Sequence, residues 1–344
     1  MTPHFSLHQL GWKPFFQLQL SLEELENSIP ARVFGVERSL IYLLSSEGSL
    51  TIPVIKSMPD LAVGDWVVVD TEHRFIRLLE RMSLFSRKAS GTQVYRQLIS
   101  ANVDTLLIVS SLNNDFNLNR IERYLALAHE AKVEPIVLLT KADLCENPEP
   151  FVEAVQALDK MLPVFAVNAQ DQASLQALDL WLSPGQTLAF LGSSGVGKST
   201  LVNTLLGGAL QETNAIREAD SRGRHTTTSR SLHLTPSGVL LLDTPGMREL
   251  QLADCAQGVD ETFADISALA MQCKFSDCQH ESEPGCAVQA AIQSGKLDQR
   301  RLLNYRKLMK EQAFNAGTLA EKRAEDKRFS KMVKSAKNIK QRKT

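Results

Sequence analysis

The chain has 344 residues, 43% of them apolar, and a formal net charge of −1. That length suits two or three domains, and the apolar share is enough for real cores. No basic stretch followed by an apolar core opens the sequence, and no apolar run reaches the roughly 18 residues of a membrane span, so neither a secretory leader nor a membrane anchor is expected, and a cytoplasmic location is.

The small net charge hides an asymmetry. From Glu321 to Thr344 ten Lys or Arg stand against three Asp or Glu, a difference of +7 on an otherwise acidic chain. Such a run is either a solvated tail or a contact for an RNA backbone.

In chain order, residues 1–29 carry no motif and read as an N-terminal extension. Residues 30–85 hold five short β-rich runs, at 32–36, 39–44, 49–54, 63–70 and 74–79. They suit a small barrel, an OB-fold or alternatively an SH3-like barrel. Tyr42, Trp66 and Phe75 are expected either in its core or as stacking platforms for RNA bases. Across residues 86–250 apolar strand runs at 103–109, 135–139, 163–167, 187–191 and 239–242 alternate with helical spacing at 118–131, 151–161, 174–182 and 199–206. This alternation predicts an α/β domain, a parallel sheet with helices on both faces. Residues 251–320 add no further βα unit, surround a cysteine cluster and end in helix; residues 321–344 form the basic tail.

Three loops carry the chemistry. Gly192-Ser193-Ser194-Gly195-Val196-Gly197-Lys198-Ser199, followed by Thr200, fits the phosphate-binding loop. Its small residues let backbone N–H groups turn toward phosphate oxygens, and the helix that follows adds its positive end. Lys198 is expected on the β- and γ-phosphates and the Ser199 hydroxyl on Mg2+. Asp243-Thr244-Pro245-Gly246 closes another strand; Asp243 is expected to face Mg2+ and the Gly246 N–H to meet the γ-phosphate. Thr140-Lys141-Ala142-Asp143 has the form of a guanine-reading loop. The Asp143 carboxylate can accept from N1–H and the exocyclic amine of guanine, a donor pair that adenine lacks. Lys141 can lie along the base, and Thr140 stands where Asn is commoner. Asn168 is a further candidate for base contact.

Between the phosphate loop and Asp243 lies Arg224-His225-Thr226-Thr227-Thr228, where a first switch belongs. Thr227 is the expected Mg2+ contact, with Thr226 and Thr228 as alternatives. Many GTPases orient the attacking water with a Gln directly after Asp-x-x-Gly; here that residue is Met247. His225 is the nearest polar candidate, because a neutral imidazole accepts a hydrogen bond from water near pH 7. Slow intrinsic GTP hydrolysis, raised by a partner, is the expectation. A GTP-dependent binding module with incidental turnover is the alternative.

Cys273-x4-Cys278-x-His280-x5-Cys286 offers three thiolates and an imidazole. That donor set suits one tetrahedral, structural Zn2+ with no open position.

The order of these parts is unusual. The guanine loop precedes the phosphate loop and Asp-x-x-Gly, as though an ordinary GTPase had been cut and rejoined. In that order, together with Gly223-Arg224-His225-Thr226-Thr227-Thr228 and the Cys273/Cys278/His280/Cys286 cluster, the chain resembles the RsgA family, also called YjeQ, over about residues 30–310. The resemblance implies a circularly permuted phosphate-loop GTPase domain with an N-terminal OB-fold and a C-terminal zinc-binding, mostly helical domain. It also implies a monomeric GTPase that binds GTP and GDP, docks on the 30S ribosomal subunit and its 16S rRNA, and assists late maturation. Hydrolysis would be stimulated by the subunit and coupled to release. Because the chain leaves Asp-x-x-Gly directly for the cysteine region, nucleotide state is expected to set the angle of the C-terminal domain.

Overall fold

A computed structural model describes residues 5–88, 96–113, 115–206, 231–243 and 255–316. Two short helices come first, α1 (Pro14–Gln17) and α2 (Leu22–Asn27). Ser21 caps α2 through a capping box with Glu24: the Ser21 hydroxyl accepts from the Glu24 N–H, and the Glu24 carboxylate accepts from the Ser21 N–H.

Arg77 donates to both Glu24 oxygens, at 2.7 and 3.0 Å. These bonds from Arg77, then the one from Ser21, lower the Glu24 pKa from 4.5 to about 2. A depressed carboxylate stabilises the fold fully above its unfolded pKa and loses that contribution as pH falls. Glu24→Gln is therefore expected to flatten the stability-versus-pH curve between pH 4.5 and about 2. Denaturant melts across that window measure it; an unaltered slope would refute the assignment.

Strands β1 (Ser28–Val36), β2 (Leu40–Ser45), β3 (Gly48–Pro53), β4 (Trp66–Asp70) and β5 (Phe75–Leu78) form an antiparallel sheet in the order β3-β2-β1-β4-β5. This is OB-fold pairing, with β1 bridging two hairpins and β3 and β5 at the open seam. Ala31, Val33, Ile41, Leu43, Ile52, Val67 and Val69 fill its interior. Trp66 is fully buried, so the stacking-platform alternative fails for it. Its ring lies under Trp12, edge to face at 4.7 Å, and beside Phe16.

The N-terminal extension therefore covers the barrel, and it reaches further. Leu10 and Phe16 are buried with Leu44, Val68 and Leu79. Arg32 on β1 is 1% exposed and donates to the carbonyls of Leu10 (2.6 Å) and Asn102 (3.0 Å). Desolvation lowers its pKa to about 10, which still leaves it charged at neutral pH. Lys13 pairs with Asp104 at 2.5 Å, and the other Asp104 oxygen accepts from the Thr187 N–H. Residues 5–20 thus brace the barrel against the base of the second sheet. No periodic pattern announces this, because each anchor meets a partner distant in sequence.

A hairpin of β6 (Leu84–Lys88) and β7 (Arg96–Ala101) leads into that sheet. It comprises β8 (Thr105–Ser111), β9 (Glu134–Thr140), β10 (Val164–Val167), β11 (Thr187–Leu191), β12 (Ser231–Leu234) and β13 (Leu240–Asp243), in the order β10-β9-β8-β11-β13-β12. Every pairing is parallel except β12 with β13. Helices α3 (Leu118–Ala131), α4 (Glu149–Gln156) and α5 (Lys198–Leu205) accompany it. Residues 173–178 form a 3₁₀ helix where the spacing predicts an α-helix. From β8 the chain steps outward to β9 and β10, then returns to the far side of β8 with β11 and β13. The direction reverses between β8 and β11, so the crevice at their carboxyl ends is the topological switch point, where open α/β sheets bind ligands.

Four helices close the described chain: α6 (Ala256–Thr262), α7 (Ala264–Ala270), α8 (Ala287–Gln293) and α9 (Gln299–Ala316). Helix α6 lies hard against α3. A Cβ on Gly258 would stand 2.0 Å from the Ala126 carbonyl oxygen, so only glycine permits the approach. The Gly258 N–H donates to Glu130 at 2.9 Å. Helix α9 is fastened to the same α3: Glu122, fully buried, accepts from Arg300, Arg301 and Asn304, and Arg123 forms two bonds of 2.6 Å to Glu311. Helices α6 and α9 are thus both packed on α3.

Candidate functional site

The phosphate loop and the guanine-type loop each lie at a carboxyl end of the parallel strands, because parallel βα units deliver all such ends to one edge. The phosphate loop leaves β11 and enters α5. A Cβ on Gly192 would meet the Val109 carbonyl oxygen at 2.2 Å, while Gly195 and Gly197 have φ of +80° and +98°. These are the demands a loop must meet to lie flat against a neighbouring strand and turn its backbone inward. Lys198 is buried, and its ammonium donates to the carbonyl of Gly192 at 2.6 Å and to that of Ser193. These bonds hold the ammonium against the loop. Ser194 and Ser199 are exposed, with Thr200 half-buried beside them.

The guanine-type loop meets it. Thr140, fully buried at the end of β9, donates through Oγ1 to the Val196 carbonyl at 2.6 Å. This hydroxyl is the physical reason a threonine serves at position 140: it is long enough to fasten one loop to the other. Lys141 takes left-handed backbone, φ +62°, and turns the chain into a 3₁₀ turn over Ala142–Leu144, with Asp143 exposed. A third loop joins them. Thr204 on α5 donates to the Ala169 carbonyl at 2.7 Å, and Asn168 is held by its bond from backbone N–H to Ser174 Oγ, 2.9 Å. The loops at 140–143, 168–169 and 192–199 therefore converge despite their order in the chain.

Asp243 ends β13, the parallel neighbour of β11, on the same edge. His225, Thr227 and Gly246 lie outside the described residues. Sequence reading missed Asp115 and Arg120, which contact the phosphate loop from the turn after β8 and from the first turn of α3. Their only local signal is Asn117, which caps α3 by accepting from the Arg120 N–H.

In the C-terminal region, Cys273, Cys278, His280 and Cys286 place their ligand atoms within 4.8 Å of one another. Cys273 Sγ is 3.8 Å from Cys286 Sγ and 3.6 Å from His280 Nδ1, and Cys286 Sγ is 3.5 Å from His280 Nδ1. A tetrahedron with metal–sulfur and metal–nitrogen bonds of about 2.3 and 2.0 Å has edges of about 3.5–3.8 Å, so the group could hold a metal ion. Gln289 supports it from behind, its amide donating to the His280 carbonyl at 2.5 Å. No helix of the described residues is long and apolar enough to cross a membrane.

A phosphate loop and a guanine-type loop joined at the switch point of a sheet, with the guanine loop first in sequence, define a circularly permuted phosphate-loop GTPase. Comparison with known proteins agrees. A family model described as RsgA GTPase matches residues 78–253; another, described as ABC transporter, matches residues 175–343, a stretch that includes the phosphate loop. The chain is 57% identical to Small ribosomal subunit biogenesis GTPase RsgA 2 of Vibrio parahaemolyticus, over 96% of this chain and 92% of that one. It is 48% identical to Small ribosomal subunit biogenesis GTPase RsgA of Mesorhizobium japonicum, covering 90% and 91%. Among solved structures it resembles YjeQ from Thermotoga maritima in fold, with TM-score 0.61, 24% identity and 83% and 98% coverage. It also resembles YloQ, a circularly permuted GTPase, with TM-score 0.58, 26% identity and 83% and 94% coverage. The chain belongs to the RsgA GTPase family.

Proposed function

We propose that this GTPase binds the 30S ribosomal subunit through its 16S rRNA and assists its late maturation, with GTP hydrolysis stimulated by the subunit and coupled to release. The relatives' names support the small-subunit reading. The observation that supports the nucleotide chemistry is the Thr140–Val196 bond, which fastens the loop that carries Asp143 to the phosphate loop.

In this reading Asp143 accepts from the guanine edge, Lys141 and Ala142 line the base, and Asn168 closes its other side. Residues Gly192 to Thr200 hold the phosphates, Lys198 supplies positive charge to them, and the Gly246 N–H meets the γ-phosphate. Ser199, Thr227 and Asp243 are the residues that would hold Mg2+, which when bound neutralises charge on the phosphates. His225 orients the attacking water and accepts its hydrogen bond. The cysteine–histidine group holds a structural Zn2+. The protein acts as a cytoplasmic monomer, with residues 1–29, 30–85, 86–250, 251–320 and 321–344 as extension, barrel, GTPase domain, zinc-binding domain and basic tail. The packing of α6 and α9 on α3 favours α3 as the route by which nucleotide state reaches the C-terminal region.

Single-turnover GTP hydrolysis with and without purified 30S subunits tests the proposal. Stimulation of about 10³-fold or more is expected with the subunit, and His225→Ala is expected to remove about 10²–10⁴-fold of the stimulated rate. Undiminished stimulation of that variant would show that another group handles the water.

A further inference from the structure

Ser193, the second residue of the phosphate loop, is held by a closed ring of hydrogen bonds. Its hydroxyl donates to Asp115 Oδ2 at 2.6 Å and accepts from Arg120 Nη1 at 2.7 Å. Arg120 Nη1 also donates to Asp115 Oδ1 at 2.6 Å. The hydroxyl is used as donor and acceptor at once, which fixes its rotation, and both of its partners are ionised. Burial raises the Asp115 pKa, but the bonds from Arg120 and Ser193 outweigh it and hold the carboxyl below its usual range.

The place of this ring in the fold gives it meaning. Asp115 stands in the turn after β8 and Ser193 in the turn after β11, on the two sides of the switch point. Arg120 belongs to the first turn of α3, which Asn117 caps. That turn is held from its other side by α9, through Arg300 on Asn119 at 2.6 Å and the bonds to Glu122. A loop tied to such a fixed turn is ordered before a ligand arrives, so binding loses less conformational freedom.

We propose that Asp115 and Arg120 are positioning residues for the nucleotide phosphates, fixing the Ser193 hydroxyl and with it the phosphate loop onto α3. The proposal rests on the nucleotide reading above and adds residues outside the loop to it. Ser193→Ala removes only the link, leaving the Asp115–Arg120 pair intact; Arg120→Ala removes the pair as well.

The test titrates the full chain, and each variant, with fluorescently labelled GDP and ADP. Arg120→Ala and Ser193→Ala are each expected to weaken GDP binding about tenfold, the scale of one charge-assisted hydrogen bond. The double variant is expected to bind no more weakly than the worse single variant, because one ring is lost in every case. Arg120→Lys, which keeps one charged donor nitrogen, is expected to regain most of the affinity. Melting temperatures without nucleotide show whether each variant is folded, and Ser193→Ala decides the matter if Arg120→Ala is not. Additive losses in the double variant, or GDP affinity within about twofold of the parent in a folded Ser193→Ala, would overturn the proposal. The clamp acts on phosphates, so its effect is read with either base. A parent chain that binds ADP as tightly as GDP would sink the guanine assignment alone.

Discussion

Replacing Asp143 by Asn is expected to weaken GTP binding by about 10²–10³-fold and to raise affinity for xanthosine triphosphate. A carboxylate opposite guanine accepts two hydrogen bonds, from N1–H and the exocyclic amine. An Asn amide there faces that amine with its own NH2, donor against donor, so one of the two hydrogen bonds becomes a repulsion. Xanthine carries a carbonyl where guanine carries the amine, so the same amide becomes a matched donor. The geometry supports an isolated effect. Asp143 is exposed at the turn, so its replacement disturbs no packing, whereas Thr140 three residues earlier is buried and carries the bond to Val196. Competition binding with GTP, ATP and xanthosine triphosphate measures it. Unchanged preference for GTP would mean that some other group reads the base.

If the cysteine–histidine quartet holds the proposed Zn2+, removing it is expected to have the largest effect on stability. Residues 271–286 contain no helix or strand, and their most evident organising feature is the quartet of Cys273, Cys278, His280 and Cys286. Cys286 also caps α8, its sulfur accepting from the Gln289 N–H at 3.4 Å. A structural Zn2+ in such a segment supplies on the order of 10 kcal/mol. Cys286→Ser, or prolonged chelation, should therefore expose residues 271–298 to rapid hydrogen exchange. Helix α6 is expected to keep its protection, since it is anchored to α3 through Gly258 and Glu130. Metal analysis of the purified protein should give one zinc per chain in the parent and none in the variant. A parent without stoichiometric metal, or unaltered exchange after its removal, would refute the structural role.

If nucleotide state sets the angle of the C-terminal domain, the packing on α3 constrains how that angle can change. Gly258 against Ala126, Glu122 beneath Arg300 and Arg301, and Arg123 on Glu311 bind α6 and α9 to one helix of the GTPase domain. Breaking a buried ionic network of this kind costs about 3–5 kcal/mol when one partner is removed. A rearrangement on hydrolysis that moves α6 or α9 must therefore carry α3 with it or break these contacts.

The sequence by itself determined the class of this protein, its parallel strands and its candidate ligands. Phosphate loops, guanine loops and metal quartets are short, and their chemistry demands particular residues at fixed spacing. Buried parallel strands likewise announce themselves as apolar runs. Tertiary structure alone decided how the pieces are held. Residues 5–20 brace the barrel through Trp12, Phe16 and Lys13, Arg32 joins carbonyls from two distant segments, and Asp115 and Arg120 grip Ser193. These contacts span tens of residues and follow no period. A buried arginine or a glycine packed against a carbonyl looks ordinary in the chain, and its role exists only once the fold has brought the partner to it.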